Sequence, residues 1–254
     1  MTFPGAVLIT GASGNLGAKL AAHLRGRTPL VLLDRTGSEG VHSADLSQWG
    51  EWTSHFQGVE AVVHLAGNPV AYHDWPDQIG PNVDAMLNVY EAAAIHGVRR
   101  VVFASSNHVM GGYQDGPPVP ITENLPPRPG LRNLADGAER FSGAYAATKL
   151  LGERVGRQYA ASRGQEVVAV RIGWVWRGVN APTELPPERG RWFRDMWLSD
   201  RDFLRMMDCC LTAKLPDRFL IVNAMSANAG MRWDLTAART VLGYEPKDDV
   251  NAPK

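Results

Sequence analysis

Cysteine is almost missing from this chain: there are two in 254 residues, Cys209 and Cys210, and they are neighbours. A disulfide between adjacent residues is strained and the spacing fits no metal site, which predicts two reduced thiols on a helix. There is no excess of charge, with 26 Lys plus Arg against 26 Asp plus Glu. That removes the basic footprint with which nucleic-acid-binding proteins hold phosphates. No cationic amphipathic run marks a membrane surface, and no apolar run approaches the roughly 18–20 residues that cross a bilayer. The first apolar stretch breaks at Thr10-Gly11, so nothing reads as a signal peptide. Internal repeats and low-complexity tracts are lacking too. These absences predict a cytoplasmic chain that meets neither nucleic acid nor membrane. At 44% hydrophobic it suits one large α/β domain or one domain with a small appendage, long enough to bury a substantial core.

What is present alternates. Ala6-Val7-Leu8-Ile9-Thr10 reads as a buried strand, residues 16–24 as a helix, and Leu30-Val31-Leu32-Leu33 as a second strand ending at Asp34. Further strands are expected at 61–66, 100–105, 167–172 and 219–222, with helices at 83–96 and from Tyr145 to about 162. Ser199 reads as the N-cap of a helix running to about 213, and Asp234 as the cap of a short helix stopping at Gly243. Strand–helix alternation implies a doubly wound parallel sheet with right-handed crossovers. Two stretches break the pattern. One is a proline-rich loop over 111–143; the other, over 174–199, carries Trp174, Trp176, Trp192 and Trp197 with Arg177, Arg189, Arg191 and Arg194.

Gly11-Ala12-Ser13-Gly14-Asn15-Leu16-Gly17 lies between the first strand and helix. Glycines there allow a tight turn and close approach of a pyrophosphate to the helix N-terminus. Asp34 stands 17 residues after Gly17, where a carboxylate accepts hydrogen bonds from the adenosine ribose and repels a 2′-phosphate. This favours NAD, while Arg35 keeps NADP open. Asp45 and Leu46 are candidates for the adenine, with a cap as the alternative for Asp45. Leu65, Ala66 and Gly67 close the fourth strand on the nicotinamide side. His64 reads as a packed histidine with no assigned role.

Tyr145-Ala146-Ala147-Thr148-Lys149 carries the chemistry. On a helix, i and i+4 share a face. A tyrosine pKa of about 10 must fall by roughly 3 units to make a base at neutral pH, which takes about 4 kcal/mol. The charge of Lys149 together with an oxidised nicotinamide is expected to supply it. Ser105 and Ser106 bring hydroxyls to the C-terminal edge of the fifth strand, the ligand-binding edge of open α/β sheets.

With Asp45-Leu46, His64-Leu65-Ala66-Gly67, Asn82 and Arg171-Ile172-Gly173, these motifs resemble the extended short-chain dehydrogenase/reductases, the NAD-dependent epimerase/dehydratase family. The resemblance spans about residues 7–249. It implies a Rossmann-like sheet over 1–172, with NAD site and catalytic residues. Over 173–254 it implies a small substrate-binding portion plus the last strand and helix of the core. It implies Tyr145 as base, Lys149 as its electrostatic partner and ribose ligand, and Ser106 as hydroxyl donor. Asn82 is implied as the asparagine that supports the site, with a plain helix N-cap as the alternative. Ala104-Ser105-Ser106-Asn107-His108 and Trp197-Leu198-Ser199 are similar to uronate dehydrogenases and NAD-dependent glucose-6-phosphate dehydrogenases. That similarity implies oxidation of an anomeric hydroxyl to a lactone, Asn107 and His108 on the sugar, and Arg191, with Arg194 as rival, on a carboxylate or phosphate.

Only about 80 residues follow Ile172, too few for a nucleotide-sugar domain. Asn107 and His108 stand where a dehydratase of this family has an acid. A sugar epimerase that recycles its hydride and a non-catalytic redox sensor are the competing expectations. The family also implies a homodimer through the helices at 83–96 and 145–162. The sequence departs from the pattern at 131–143, an extra piece that reads as a lid, a dimer contact or a specificity insert.

Overall fold

A computed structural model describes residues 5–135 and 138–252. In chain order the elements are β1 (Ala6–Thr10), α1 (Asn15–Leu24), β2 (Leu30–Asp34), β3 (His42–Ser43) and β4 (Val59–His64). Then come α2 (Trp75–Gln78), α3 (Ala85–Ile95), β5 (Arg100–Ser106), β6 (Arg132–Ala135) and β7 (Ala138–Phe141). The rest are α4 (Gly143–Arg163), β8 (Glu166–Ile172), α5 (Gly190–Asp195), α6 (Asp200–Thr212), β9 (Phe219–Ala224) and α7 (Thr236–Leu242). Seven strands form one parallel sheet in the order β3-β2-β1-β4-β5-β8-β9. This is the expected doubly wound α/β fold.

The apolar runs become strands because both faces of the sheet are covered. One core holds Val7, Ile9, Val63, Val102, Val168 and Val170; the other holds Leu8, Val62, Val101, Phe103, Val167 and Ala169. Odd and even residues of each strand thus feed opposite cores, as the two-residue period requires. Both sheet edges are guarded. The strand at one end, β3, is two residues long, and on the other Glu123 Oε1 accepts the outward Asn223 N–H of β9 at 3.1 Å. No helix among the described residues is long and apolar enough to cross a membrane.

Several expectations change. The helix over 83–96 is entered through a π-helical turn, Ile79–Asp84, which puts Asn82 inside the turn and not at a cap. The 111–143 stretch is not one loop: β6 and β7 form an antiparallel hairpin within it, pairing Arg132 with Phe141 and Asn133 with Arg140. The 174–199 stretch contains α5. Ser199 does cap α6, its hydroxyl accepting Asp202 N–H at 3.0 Å, and the two thiols on that helix are free. Asp234 lies one residue before the N-cap of α7 and still accepts Thr236 N–H at 2.9 Å. Beyond Ile172 the chain leaves the sheet and returns to it as β9, so the 173–254 portion shares the sheet with the first.

Candidate active site

The strand β1 hands directly to α1 through the glycine loop. Gly11 has φ +69°, and a Cβ there would lie 2.7 Å from Ala66 N; one on Gly17 would lie 2.0 Å from the Gly11 carbonyl oxygen. Only hydrogen fits at either position. The N-cap Gly14 has no side chain to offer, so the N-terminus of α1 carries no side-chain cap, as a helix end that takes an anion requires. Asp34 at the end of β2 ties the loop down: Oδ2 accepts Ser13 N–H at 2.9 Å and Oδ1 accepts Arg35 N–H at 2.7 Å. A glycine-lined approach, a free helix N-terminus and an acid beside it fit a dinucleotide. Asp45 accepts the N–H and hydroxyl of Ser47 at 3.0 and 2.7 Å, capping a local turn. Leu46 is buried, its carbonyl accepting Asn88 Nδ2 at 2.9 Å.

Leu65, Ala66 and Gly67 leave β4 beside β1. Thr10 Oγ1 bonds His64 Nδ1 at 2.7 Å and accepts Ala66 N–H at 3.3 Å. His64 is buried against Phe103, and burial, aided by the Lys149 charge, pushes its pKa down to about 3. Asn82 grips the following loop, accepting Asn68 N–H at 2.8 Å and donating to the Asn68 carbonyl at 3.2 Å. A Cβ on Gly67 would meet Asn82 Oδ1 at 2.4 Å and Lys149 Nζ at 3.6 Å, so the three converge.

On β5 two adjacent serines part company. Ser105 donates to Glu153 Oε1 at 2.7 Å, and Glu153 is doubly bonded by Arg171 at 2.8 and 2.9 Å, all of it buried. Ser106, on the opposite face, bonds the Tyr145 hydroxyl and accepts His108 N–H at 3.2 Å. Lys149 lies one helical turn beyond Tyr145, its Nζ 5.7 Å from the phenol ring centre. Burial pushes Lys149 down to about 8. It pushes Tyr145 up, opposed by the Ser106 hydroxyl. The expected lowering of the phenol is therefore not produced by the protein's own groups.

Asn107 is buried and donates to the Ile172 carbonyl at 2.9 Å, tying β5 to β8 and leaving its Oδ1 without a partner. His108 meets the Tyr145 ring edge-on at 5.4 Å and Tyr72 at 6.4 Å. Burial lowers its pKa to about 4, so it is neutral at physiological pH. Its tautomer follows from Ser142, which is fully buried. The Ser142 hydroxyl accepts Leu131 N–H at 2.8 Å, so its own hydrogen goes to His108 Nδ1, 2.6 Å away. The His108 proton then sits on Nε2, a ready donor.

Sequence reasoning missed Tyr72, Asn133, Arg140 and Ser142. Tyr72 is half-buried with the Asn133 amide beside its hydroxyl; burial raises its pKa, opposed by the Arg189 charge, Asn133 and the Arg140 charge. Arg191 and Arg194 are engaged elsewhere. Arg191 donates to the Gly230 carbonyl at 3.2 Å and pairs with Asp195 at 3.4 Å, and Arg194 donates to the Val250 carbonyl at 3.0 Å. They line cavities that include none of Ser106, His108, Tyr145 and Lys149. The structure does not bring them to the cluster.

Residues 7–176 match the profile of the family described as NAD dependent epimerase/dehydratase. The chain belongs to this family. Among its relatives is the NAD-dependent glucose-6-phosphate dehydrogenase of Haloferax volcanii, 33% identical over 96% of this chain and 93% of the relative. The L-arabinose 1-dehydrogenase (NAD(P)(+)) of the same organism is also 33% identical, over 96% of each. A mutant uronate dehydrogenase from Agrobacterium tumefaciens, solved with NAD, superimposes with a TM-score of 0.80 at 28% identity, covering 97% of this chain and 86% of that one. Family membership agrees with the glycine cradle and with the serine–tyrosine–lysine cluster on the same sheet edge.

Proposed function

We propose that this protein is an NAD-dependent dehydrogenase that oxidises the C1 hydroxyl of a small acidic or phosphorylated sugar to a lactone. The observation that carries the reading is the convergence of Ser106, Tyr145 and Lys149 on the edge of β5, with His108 against the Tyr145 ring and Tyr72, which feels two arginine charges, next to His108. The cofactor would be held by Gly11, Ser13, Gly14, Asn15, Leu16 and Gly17 at the pyrophosphate, Asp34 and Arg35 at the ribose, and Leu65–Gly67 with Asn82 behind the nicotinamide. Lys149 would hold the nearer ribose. Held there, NAD would supply a hydride acceptor and a positive charge.

Tyr145 takes the hydroxyl proton. Because burial raises its pKa, the phenolate forms only when positive charge is added beside it. Lys149 contributes as long as it stays protonated, and with a pKa of about 8 it does so at neutral pH. Ser106 orients the substrate oxygen, and the His108 Nε2 proton donates to a neighbouring hydroxyl. Arg189 and Arg140, in place of Arg191 and Arg194, face the acidic group, with Tyr72 and Asn133 offering further donors.

The deciding experiment assays uronates, hexose phosphates and neutral aldoses for NADH formation, with NAD and NADP in parallel. NADH from an acidic or phosphorylated sugar is expected. NADH from neutral aldoses alone removes the arginine reading. Interconversion of sugars without net NADH points to an epimerase, and tight NADH binding without turnover to a sensor.

A homodimer through α3 and α4 is part of the proposal, supported by exposed Leu87 and Ile95 on α3 and Leu151 on α4. A cytoplasmic location is supported by the free thiols.

A further inference from the structure

Ser142 sits at the N-cap of α4, where a serine hydroxyl ordinarily accepts an N–H of the helix's first turn. Its backbone carbonyl does start the helix, accepting Ala146 N–H at 2.9 Å, but its hydroxyl makes no cap bond. The hydroxyl turns instead to Leu131 N–H at 2.8 Å and to His108 Nδ1 at 2.6 Å. The base of the β6–β7 hairpin closes around this bond. Ser142 N–H donates to the Leu131 carbonyl at 3.1 Å, and Gly130 N–H to the His108 carbonyl at 3.0 Å. The Phe141 ring fills the space that a Cβ on Gly130 or Gly143 would need. The extra piece over 131–143 is thus fastened to His108 through backbone and side chain at once.

The Ser142 oxygen already accepts Leu131 N–H, and a fully buried hydroxyl keeps its proton bonded. That proton goes to Nδ1, and His108 carries its own on Nε2, away from Ser142. The opposite tautomer would leave a bare nitrogen on a ring whose centre is 5.4 Å from that of Tyr145. Such a nitrogen would be a second acceptor for the proton of the reacting hydroxyl. Held as a donor, His108 meets only the lone pair of a sugar oxygen, and the proton is left to Tyr145.

We propose that Ser142 is a positioning residue: from the base of the insert it fixes His108 as a donor, so that the site selects a sugar with a hydroxyl beside the reacting carbon over its deoxy analogue. The proposal rests on the sugar-dehydrogenase reading for the substrate, but not for the proton. Nitrogen-15 NMR of histidine-labelled protein, with His108 assigned through His108→Gln, reports which ring nitrogen is protonated. A proton on Nε2 and a hydrogen-bonded Nδ1 are expected in the unmodified protein and in Ser142→Thr, with the Nδ1 bond lost in Ser142→Ala. A proton on Nδ1 in the unmodified protein overturns the proposal, whether or not any Ser142 variant folds. With glucuronate or glucose 6-phosphate, Ser142→Ala should raise the KM for sugar about tenfold, leave the KM for NAD unchanged and shrink the preference over the 2-deoxy analogue. An equal rise in both KM values with that preference intact is what a weakened helix start gives, and it overturns the proposal. If neither sugar yields NADH while the spectrum is as expected, the dehydrogenase reading falls and the assignment of the proton by Ser142 stands.

Discussion

Ser105 and Ser106 are consecutive on β5, and their surroundings differ in kind. Around Ser105 every charge is matched: the Glu153 carboxylate takes the serine hydroxyl and two Arg171 donors, sealed from water. Around Ser106 little is fixed, and Tyr145, His108 and Lys149 hold their protons at unusual pKa values. Because strand residues alternate between faces, one residue step separates what holds the sheet together from what reacts.

Substitutions on the two sides should therefore do different things. The largest effect is expected from Tyr145→Phe, which removes the base and lowers kcat by about 10²- to 10⁴-fold with the melting temperature unchanged. An equal loss of stability there would erase the distinction. On the closed side, Glu153→Ala strands Arg171 in the core and should cost about 3–5 kcal/mol in denaturant unfolding, while the folded fraction keeps its kcat.

Acid should act through the buried histidines. His64 and His108 have folded pKa values of about 3 and 4, below the ordinary 6.5, so the fold excludes protons that the unfolded chain binds. Their contribution is fully present above pH 6.5 and is lost as pH falls toward 4 and then 3. At about pH 5 each should cost about 2 kcal/mol, and His64→Gln should remove its share of the slope in unfolding measured against pH. The smallest effect is expected from Ser105→Ala, about 1 kcal/mol of stability and no change in the KM for NAD.

The cofactor side was legible because its signals are local. Gly11 and Asp34 sit at strand ends that the apolar runs already mark, Gly17 opens the helix between them, and the fold requires glycine where two backbones touch. The substrate side was less so. Asn107 and His108 follow Ser106 directly and were found, but what they face comes from far along the chain. Tyr72 lies in an irregular loop, and Asn133 and Arg140 meet only because β6 pairs with β7. Asp136-Gly137 was the available hairpin signal, and it falls outside the described residues, within flanks that lack alternation. Arg189 was visible among four arginines, yet spacing could not say which of them acts on Tyr72. Arg191 and Arg194, one and four residues past Gly190, go to other cavities.

The guarded sheet edges bear on how this protein behaves at high concentration. A seven-stranded parallel sheet has two open borders, each a template for another chain's backbone. Here one border is too short to recruit a partner strand, and on the other a carboxylate occupies an outward amide of β9. Growth by strand addition is thereby disfavoured at both ends.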